Sequence, residues 1–117
     1  MDLLVRHNEN GVATLTMNAP ERLNALSDAM LAALHGAFDE IAEDRGIRAV
    51  ILAGTGKAFC AGHDLKEMQA GRQADDKGAA YFADLFARCS ALMQRIQSIP
   101  QPVIAQVHGI ATAAGCQ

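Results

Sequence analysis

The sequence is poor in aromatic residues and in cysteine. Its 117 residues include no tryptophan, one tyrosine and four phenylalanines, so the core must be built mainly from Ala, Leu, Ile, Val and Met. Cys60, Cys89 and Cys116 stand far apart, a spacing that fits neither a disulfide framework nor a paired zinc knuckle. We therefore expect reduced thiols and no metal site.

An excess of basic charge and a long apolar run are also missing. Ten Lys and Arg residues against thirteen Asp and Glu give a formal net charge of −3, with no basic cluster. This balance argues against nucleic acid or an anionic membrane as the main partner. No apolar run typical of a signal peptide or a membrane span follows the start of the sequence. We therefore predict a cytoplasmic protein without nucleic-acid or membrane partners.

Half of the residues are apolar and a fifth are charged, which is typical of an ordinary globular domain. Alternating apolar residues around the turn Asn8–Gly11 predict a hairpin with strands near Leu3–His7 and Val12–Met17. Apolar residues at steps of three and four predict two amphipathic helices, Asp28–Asp44 and about Gly78–Gln97. Ser27 is the expected N-cap of the first helix.

Two short apolar runs predict further strands. The run RAVILAG, residues 48–54, has no polar alternation and should be covered on both faces, and VIAQV follows at 103–107. Between them, DLKEM begins a helical turn, and the polar segment 71–78 should be exposed or mobile. A final loop is expected from Gly109 onward. The resulting order ββαβ(loop)αβ predicts an α/β fold in one domain spanning residues 1–117.

Two local patterns suggest chemistry that the surrounding residues support only weakly. GTGK resembles part of a phosphate-binding P-loop, but Ile51 and Ala58 occupy the places of its leading glycine and final hydroxyl residue. Cys60 and His63 could bind a metal, or Cys60 could be a nucleophile with His63 or His108 as its base. A single Cys-x-x-His pair is a weak signal, and a small cysteine beside a phenylalanine is typical of buried packing.

Two loops that follow strands could instead present backbone amides. In CAGHD, Gly62 permits conformations that turn an amide N–H into an open pocket. In HGIATAAG, the small residues at 113–115 allow a ligand to approach closely, and the start of a helix offers unpaired N–H donors. One amide from each loop could converge on a single oxygen and form an oxyanion hole. The alternative is that both loops are ordinary packed turns.

The segments PERLNALS, AFCAGHDLKEM and VHGIATAAGCQ, in this order and spacing, resemble the enoyl-CoA hydratase/isomerase (crotonase) superfamily. The resemblance covers nearly the whole chain, and the ending ATAAGCQ is most similar to the enoyl-CoA hydratase domain-containing branch. It implies a superhelix of ββα units whose longer chains bind acyl-CoA thioesters and assemble as trimers or pairs of trimers. Residues 1–117 would be the N-terminal part of the spiral core, and thus a portion of one acyl-CoA-binding domain.

The resemblance also implies roles for individual residues. The family stabilises an enolate formed on the thioester carbonyl, and its two amide donors correspond to His63 and Ala114. The positions around the adenine and pantetheine of coenzyme A correspond to Arg22, Leu23, Ala61, Asp64, Leu65 and Lys66. No separate cofactor is implied, because the CoA thioester is itself the substrate.

Gln117 departs from the family pattern. Hydratases of the family carry at this position a Glu that holds and deprotonates the attacking water. An amide of the same shape can hydrogen-bond a water but cannot take its proton. The resemblance therefore implies an enoyl-CoA hydratase/isomerase-type enzyme whose hydratase activity is in doubt, or else a catalytically weak or inactive acyl-CoA-binding or regulatory protein.

Overall fold

The fold alternates strands and helices along a chain whose computed structural model describes residues 2–117. The chain also forms two short 3-10 turns, Pro20–Arg22 and Ala113–Gly115. The regular elements are β1 (Leu4–Glu9), β2 (Val12–Met17), α1 (Asp28–Ala42), β3 (Ala49–Gly54), β4 (Ala58–Cys60), α2 (Leu65–Gly71), α3 (Ala79–Ser98), β5 (Val103–Ala105) and β6 (Ile110–Ala111).

A four-stranded mixed sheet forms one layer, in the order β1-β2-β3-β5. β1 and β2 are antiparallel, and the two-residue turn between them has left-handed backbone at Asn10 (φ 52°) and Gly11 (φ 81°), as a tight hairpin requires. β2 pairs with β3 and β3 with β5 in parallel, with Leu15 opposite Leu52 and Ile51 opposite Ile104. β4 and β6 form a separate parallel pair.

The hydrophobic core lies between the sheet and the helices α1 and α3. Alternate residues of β2 are buried in it, and α1 and α3 each contribute a stripe at helical spacing. These core residues are Ala13, Leu15 and Met17 from β2, Met30, Leu31, Leu34, Phe38 and Ile41 from α1, and Leu85, Cys89 and Leu92 from α3. With few aromatic residues available, mainly aliphatic side chains fill this core, joined by Phe38 and Phe59, as the composition indicated.

The predicted hairpin and both amphipathic helices are confirmed with small shifts at their ends. The Ser27 hydroxyl accepts a hydrogen bond from the Met30 amide at 3.1 Å, so Ser27 is the N-cap of α1. β1 continues to Glu9 rather than ending at His7, and α1 ends at Ala42, two residues before Asp44. Differences of this size are normal at the ends of elements.

Two expectations need correction. β3 was expected to be covered on both faces, but only its residue Val50 is fully buried. Within residues 2–117, one face of β3 therefore remains partly open. The stretch after Gly109 is not simply a loop, because Ile110–Ala111 pairs with Ala58–Cys60. These strands of two and three residues are too short to produce a periodic signal.

The polar segment between α2 and α3 is exposed from Arg72 to Lys77, as predicted. It also has a structural task, since the Asp76 carboxylate accepts hydrogen bonds at 2.9 Å from the amides of Gly78 and Ala80. These bonds supply the N-terminal cap of α3 that its own N-cap residue, a glycine, cannot provide. In the part of the chain described, no helix combines the length and apolar character needed to cross a membrane.

Candidate functional site

A sharp turn in the first loop is fixed by one buried side chain. Leu23 (φ 54°) and Asn24 (φ 53°) both have left-handed backbone directly after the 3-10 turn. The Asn24 side-chain oxygen accepts from the Ala19 amide at 2.8 Å, and its Nδ2 donates to the carbonyls of Thr55 (2.9 Å) and Ala58 (3.1 Å). Asn24 is fully buried and therefore fastens this loop to the segment that joins β3 and β4.

The loop after β4 is held from both sides by backbone hydrogen bonds. On one side the Ala61 amide donates to the Leu23 carbonyl at 3.0 Å, and the Leu26 amide donates to the Gly62 carbonyl at 2.7 Å. On the other side the Thr112 amide donates to the Cys60 carbonyl at 3.1 Å. Three segments that are distant in sequence thus meet at residues 60–63.

Gly62 marks the closest approach of two of these segments. Its φ of 96° is a conformation that side chains of L residues rarely adopt. A Cβ atom at this position would lie 3.1 Å from the Ala113 Cβ, 3.2 Å from the Thr112 carbonyl oxygen and 3.5 Å from the Ala114 amide nitrogen. The loop carrying His63 and the turn carrying Ala114 are therefore in direct contact, as the predicted convergence of the two loops requires.

Neither predicted donor amide is used in the internal hydrogen bonds of the described residues. Within residues 2–117, neither the His63 amide nor the Ala114 amide has a hydrogen-bond acceptor. Ala114 is 8% exposed and lies in the 3-10 turn Ala113–Gly115, where the sequence had led us to expect the first turn of an α-helix. An unpaired amide in a largely buried turn is an available donor for a ligand.

The loop that carries His63 and the turn that carries Ala114 meet at a place here called the junction. An open cleft of about 570 Å³ lies beside it, and we call this space the CoA-side cleft after the residues predicted to surround coenzyme A. It is lined by His63 and Ala113 together with all six residues predicted to surround coenzyme A, namely Arg22, Leu23, Ala61, Asp64, Leu65 and Lys66. The structure therefore brings the whole predicted set together. Leu65 is 77% exposed and lies at the start of α2, at the rim of this cleft.

Both carboxylate oxygens of Asp64 contact other groups of the protein. Its Oδ1 accepts from the amides of Lys66 (3.0 Å) and Glu67 (3.3 Å), which makes Asp64 the N-cap of α2. Its Oδ2 lies 3.2 Å from an Arg22 guanidinium nitrogen, and the carboxylate is 7% exposed. Asp64 therefore orients Arg22 at the mouth of the cleft while it starts α2. A capping contact of this kind is predictable from Asp at the position before a helical turn.

Glu67 adds a connection that sequence reasoning missed. Its side-chain oxygen accepts from the Asp28 amide at 2.8 Å, which links the first turn of α2 to the first turn of α1. The two residues are 39 positions apart, so no local pattern in the sequence could have indicated this contact.

On the other side of the junction lies a second open space of about 780 Å³, here called the acyl-side cavity. His63, Ala114 and Gln117 all line it, so the three predicted catalytic residues surround one space. Phe86 and Met93 of α3 form part of its wall. His63 and Ala113 border both this cavity and the CoA-side cleft, and the two predicted donor amides therefore lie at the boundary between the two.

The cysteine chemistry that the sequence left open is not favoured by the structure. Burial raises the pKa of the Cys60 thiol, and to a smaller extent a hydrogen bond from the Gly62 backbone opposes this. A raised pKa disfavours the thiolate, which is the nucleophilic form. The His108 imidazole lies 2.7 Å from the Gly56 carbonyl and has no contact with Cys60 among the hydrogen bonds of residues 2–117. Over the same residues no cluster of three potential metal ligands occurs.

The comparison with known proteins agrees with the resemblance seen in the motifs. A family model described as enoyl-CoA hydratase/isomerase matches residues 7–117. The chain is 39% identical over 115 residues to the enoyl-CoA hydratase domain-containing protein 3 of Xenopus laevis, covering 98% of this chain and 37% of that protein. It is 38% identical over 117 residues to 1,2-epoxyphenylacetyl-CoA isomerase of Escherichia coli, covering 98% of this chain and 43% of the relative.

Solved structures give the same result for the fold. An enoyl-CoA hydratase of Mycobacterium smegmatis superposes with a TM-score of 0.92 at 58% identity, over 99% of this chain and 44% of that one. Human enoyl-CoA hydratase domain-containing protein 3 superposes with a TM-score of 0.87 at 34% identity, over 98% and 44% of the two chains. The chain thus spans less than half the length of these relatives, and its α/β fold is that of the N-terminal part of the crotonase spiral.

The predicted cytoplasmic location is contradicted by these relatives. The enoyl-CoA hydratase domain-containing proteins 3 of Xenopus laevis, mouse and human are named as mitochondrial. The prediction rested on the lack of a signal peptide or membrane span, and a lack of this kind does not identify a compartment. The family model, the identities and the superpositions agree with one another, and the chain belongs to the enoyl-CoA hydratase/isomerase, or crotonase, family.

Proposed function

We propose that the protein binds acyl-CoA thioesters and stabilises an enolate on the thioester oxygen with the backbone amides of His63 and Ala114. The observation that carries this proposal is the approach of the Gly62 loop to within contact distance of the Ala114 amide, with neither donor amide used in the internal hydrogen bonds of the described residues. A donor preorganised in this way typically contributes about 2.7–4 kcal/mol of transition-state stabilisation. The donors are backbone groups, so the His63 and Ala114 side chains do not alter their capacity to donate.

The CoA-side cleft would hold the nucleotide and pantetheine portions of the thioester. Arg22 and Lys66 place two cations at a cleft of a protein whose formal net charge is −3. Cations at these positions can pair with phosphate oxygens through charge-assisted hydrogen bonds. The buried Asp64 carboxylate keeps the Arg22 side chain at the mouth of the cleft, since the two groups are 3.2 Å apart.

Gln117 supports a second candidate function. It lines the acyl-side cavity with His63 and Ala114, which is where a family hydratase would hold its water-activating Glu. A neutral amide can orient water there but cannot accept its proton. The protein would then bind and polarise acyl-CoA thioesters and hydrate them slowly or not at all, as a binding or regulatory protein would.

The test compares two glycine variants of the full-length protein that carries this sequence. Gly62→Val should weaken or abolish acyl-CoA binding, because a β-branched side chain is strained at φ 96° and collides with the turn that carries Ala114. Gly36→Ala is the control, since a Cβ added at Gly36 meets nothing within 4 Å. Calorimetric titration with butyryl-CoA measures the affinity of each variant.

A third variant separates the proposal from cysteine chemistry. Cys60→Ala should leave acyl-CoA affinity within a few-fold, because a small buried thiol mainly packs. If Cys60→Ala abolishes binding and Gly62→Val does not, the oxyanion assignment is wrong and the Cys60 thiol is the reactive group.

A further inference from the structure

The imidazole of His63 has no structural partner that explains its presence at the boundary of the two clefts. It borders both the CoA-side cleft and the acyl-side cavity, and its ring centroid lies 5.7 Å from that of Phe86. Its Nδ1 atom is buried and has no hydrogen-bond partner among residues 2–117. A buried polar atom without a partner is uncommon in proteins and points to a role outside internal packing.

His63 is also the one described residue lining the acyl-side cavity that can accept a proton at neutral pH. The cavity's other titratable side chain is Cys89 on α3, and burial raises the pKa of its thiol, which therefore stays protonated. Gln117, at the position of the family's Glu, is a neutral amide. The remaining lining side chains are apolar, hydroxyl or amide groups.

We propose that the His63 imidazole is the catalytic base of the protein and moves a proton on the acyl chain of a β,γ-unsaturated acyl-CoA. This inference rests on the proposed function, because the thioester oxygen must be held by the amides of His63 and Ala114. The ring lines the acyl-side cavity together with Ala114 and Gln117, which is where the proposed function puts the acyl chain. Gln117 is not required to activate a water in this reaction.

The proton transfer is balanced without any further reactant. The imidazole takes a proton from Cα, and the electron pair of the broken C–H bond forms the Cα=C bond of the enolate, whose negative charge lies on the thioester oxygen. The imidazolium then returns the same proton to Cγ, the Cβ=Cγ double bond moves to Cα=Cβ, and the carbonyl re-forms. The net result is isomerisation of a 3-enoyl-CoA to the conjugated 2-enoyl-CoA.

The surroundings keep the imidazole in its proton-accepting form. Burial lowers the pKa of His63 from its ordinary value of 6.5, so the ring is neutral at pH 7. The charged groups of the adjacent cleft are Glu21, Arg22, Asp64 and Lys66, of which Arg22 and Asp64 form an ion pair with each other. From α3, Phe86 packs near the ring, and Cys89, whose pKa burial raises, lines the same cavity as a protonated thiol.

The test measures conversion of 3-hexenoyl-CoA to 2-hexenoyl-CoA by the full-length protein, from the absorbance of the conjugated thioester. His63→Ala keeps the backbone amide and replaces the ring with a smaller side chain, so it should fold. We expect kcat to fall by about 10²–10⁴, the usual contribution of a positioned base, with KM within a few-fold. His63→Gln should lose as much, and His7→Ala, at an exposed histidine of β1, should behave as wild type.

Two readouts distinguish a base from a packing residue. Added imidazole should restore the rate of His63→Ala in proportion to its concentration, and the acid limb of the wild-type kcat/KM profile, lying below pH 6.5, should vanish in this variant. Unchanged kcat in His63→Ala, or a loss confined to KM without imidazole rescue, would overturn the assignment.

A parallel binding measurement separates this inference from the proposed function. If wild-type protein binds butyryl-CoA but does not isomerise 3-hexenoyl-CoA, the base assignment fails and the thioester site stands. If it binds no acyl-CoA at all, the proposed function fails and the base assignment falls with it.

Discussion

At the scale of single residues, Gln117 is the residue that would separate thioester binding from hydration in the proposed function. It lines the same cavity as the two donor amides, so it is placed to meet the acyl chain or a water beside it. Its amide cannot act as a base, whereas the glutamate of a family hydratase can. In the proposed function, binding and enolate stabilisation would depend on backbone geometry and would not require a carboxylate here.

We therefore expect Gln117→Glu to accelerate hydration of 2-enoyl-CoA by the full-length protein. The exchange changes shape little and restores a proton acceptor, which typically contributes about 10²–10⁴ in rate. Formation of hydroxyacyl-CoA at equal thioester saturation measures the effect, with the exposed Gln73→Glu as control. Fast hydration by the wild type, or no gain in a Gln117→Glu variant that still binds, would show that another group transfers the proton.

His63 should also make stability depend on pH. Because burial lowers the pKa of His63 in the folded protein below 6.5, the unfolded chain binds more protons as the pH falls. The contribution of His63 to the free energy of unfolding should therefore be fully present above pH 6.5. It should decline as the pH falls from 6.5 to the pKa of His63 in the folded protein. Urea unfolding above and below pH 6.5 should show a smaller decline in His63→Ala than in the wild type, and equal declines would contradict the burial of a neutral ring.

At the scale of elements, Asn24 holds the first loop in place. Its side chain makes three hydrogen bonds to backbone groups on two segments, and it is fully buried. The turn it stabilises supplies the Leu23 carbonyl that receives the Ala61 amide, and so positions the loop before His63. The geometry of the site therefore depends on a residue that points away from the ligand cleft.

Asn24→Ala should lower the free energy of unfolding by about 1–3 kcal/mol or more, because it leaves buried backbone groups without partners. It should also weaken butyryl-CoA binding, since the loop that carries Arg22 loses its anchor. Asn8→Ala, at an exposed position of β1, is the control. An unfolding midpoint and affinity equal to those of the wild type would contradict the anchoring role.

Local patterns in the sequence predicted most elements. The hairpin, α1 with its Ser27 cap and α3 followed from periodicity and turn residues, because these signals repeat over many positions. The pairing of β4 with β6 and the Asn24 network did not, since they join residues far apart in sequence through two or three contacts.

The grouping of the candidate site residues was predicted from family motifs and not from local sequence patterns. No pattern of spacing alone could place Arg22, Lys66 and Gln117 around one junction, because three separate segments must first meet. Family motifs supplied that placement. The sequence suggested the His63 imidazole only as a metal ligand or as a base for Cys60, because the resemblance directs attention to the backbone amide of that residue; its lack of an internal partner became visible in the structure.

At the scale of the whole molecule, residues 2–117 leave apolar surface uncovered near β5 and β6. Ile104, Val107 and Ile110 are each more than half exposed. An apolar groove of about 350 Å³ between the sheet, α1 and α3 reaches Ala114 and Gln117. The chain spans about two fifths of the relatives' length, and surface of this kind is typical of an interface.

A polypeptide of residues 1–117 alone should therefore bind a hydrophobic dye such as ANS and self-associate. The full-length protein should bind less dye, and we propose that it assembles as a trimer or a pair of trimers. Light scattering after gel filtration measures both proteins. A monomeric 1–117 polypeptide that unfolds cooperatively and binds butyryl-CoA as tightly as the full-length protein would contradict this account of the apolar surface.

In the proposed function, one oxygen of a bound thioester lies between the amides of His63 and Ala114. A crystal structure of the full-length protein with butyryl-CoA tests this placement most directly. We predict the thioester oxygen at about 2.7–3.1 Å from both amide nitrogens, with the nucleotide portion in the cleft beside Arg22 and Lys66. A thioester oxygen that contacts neither amide, with the acyl chain outside the cavity lined by Gln117, would contradict it.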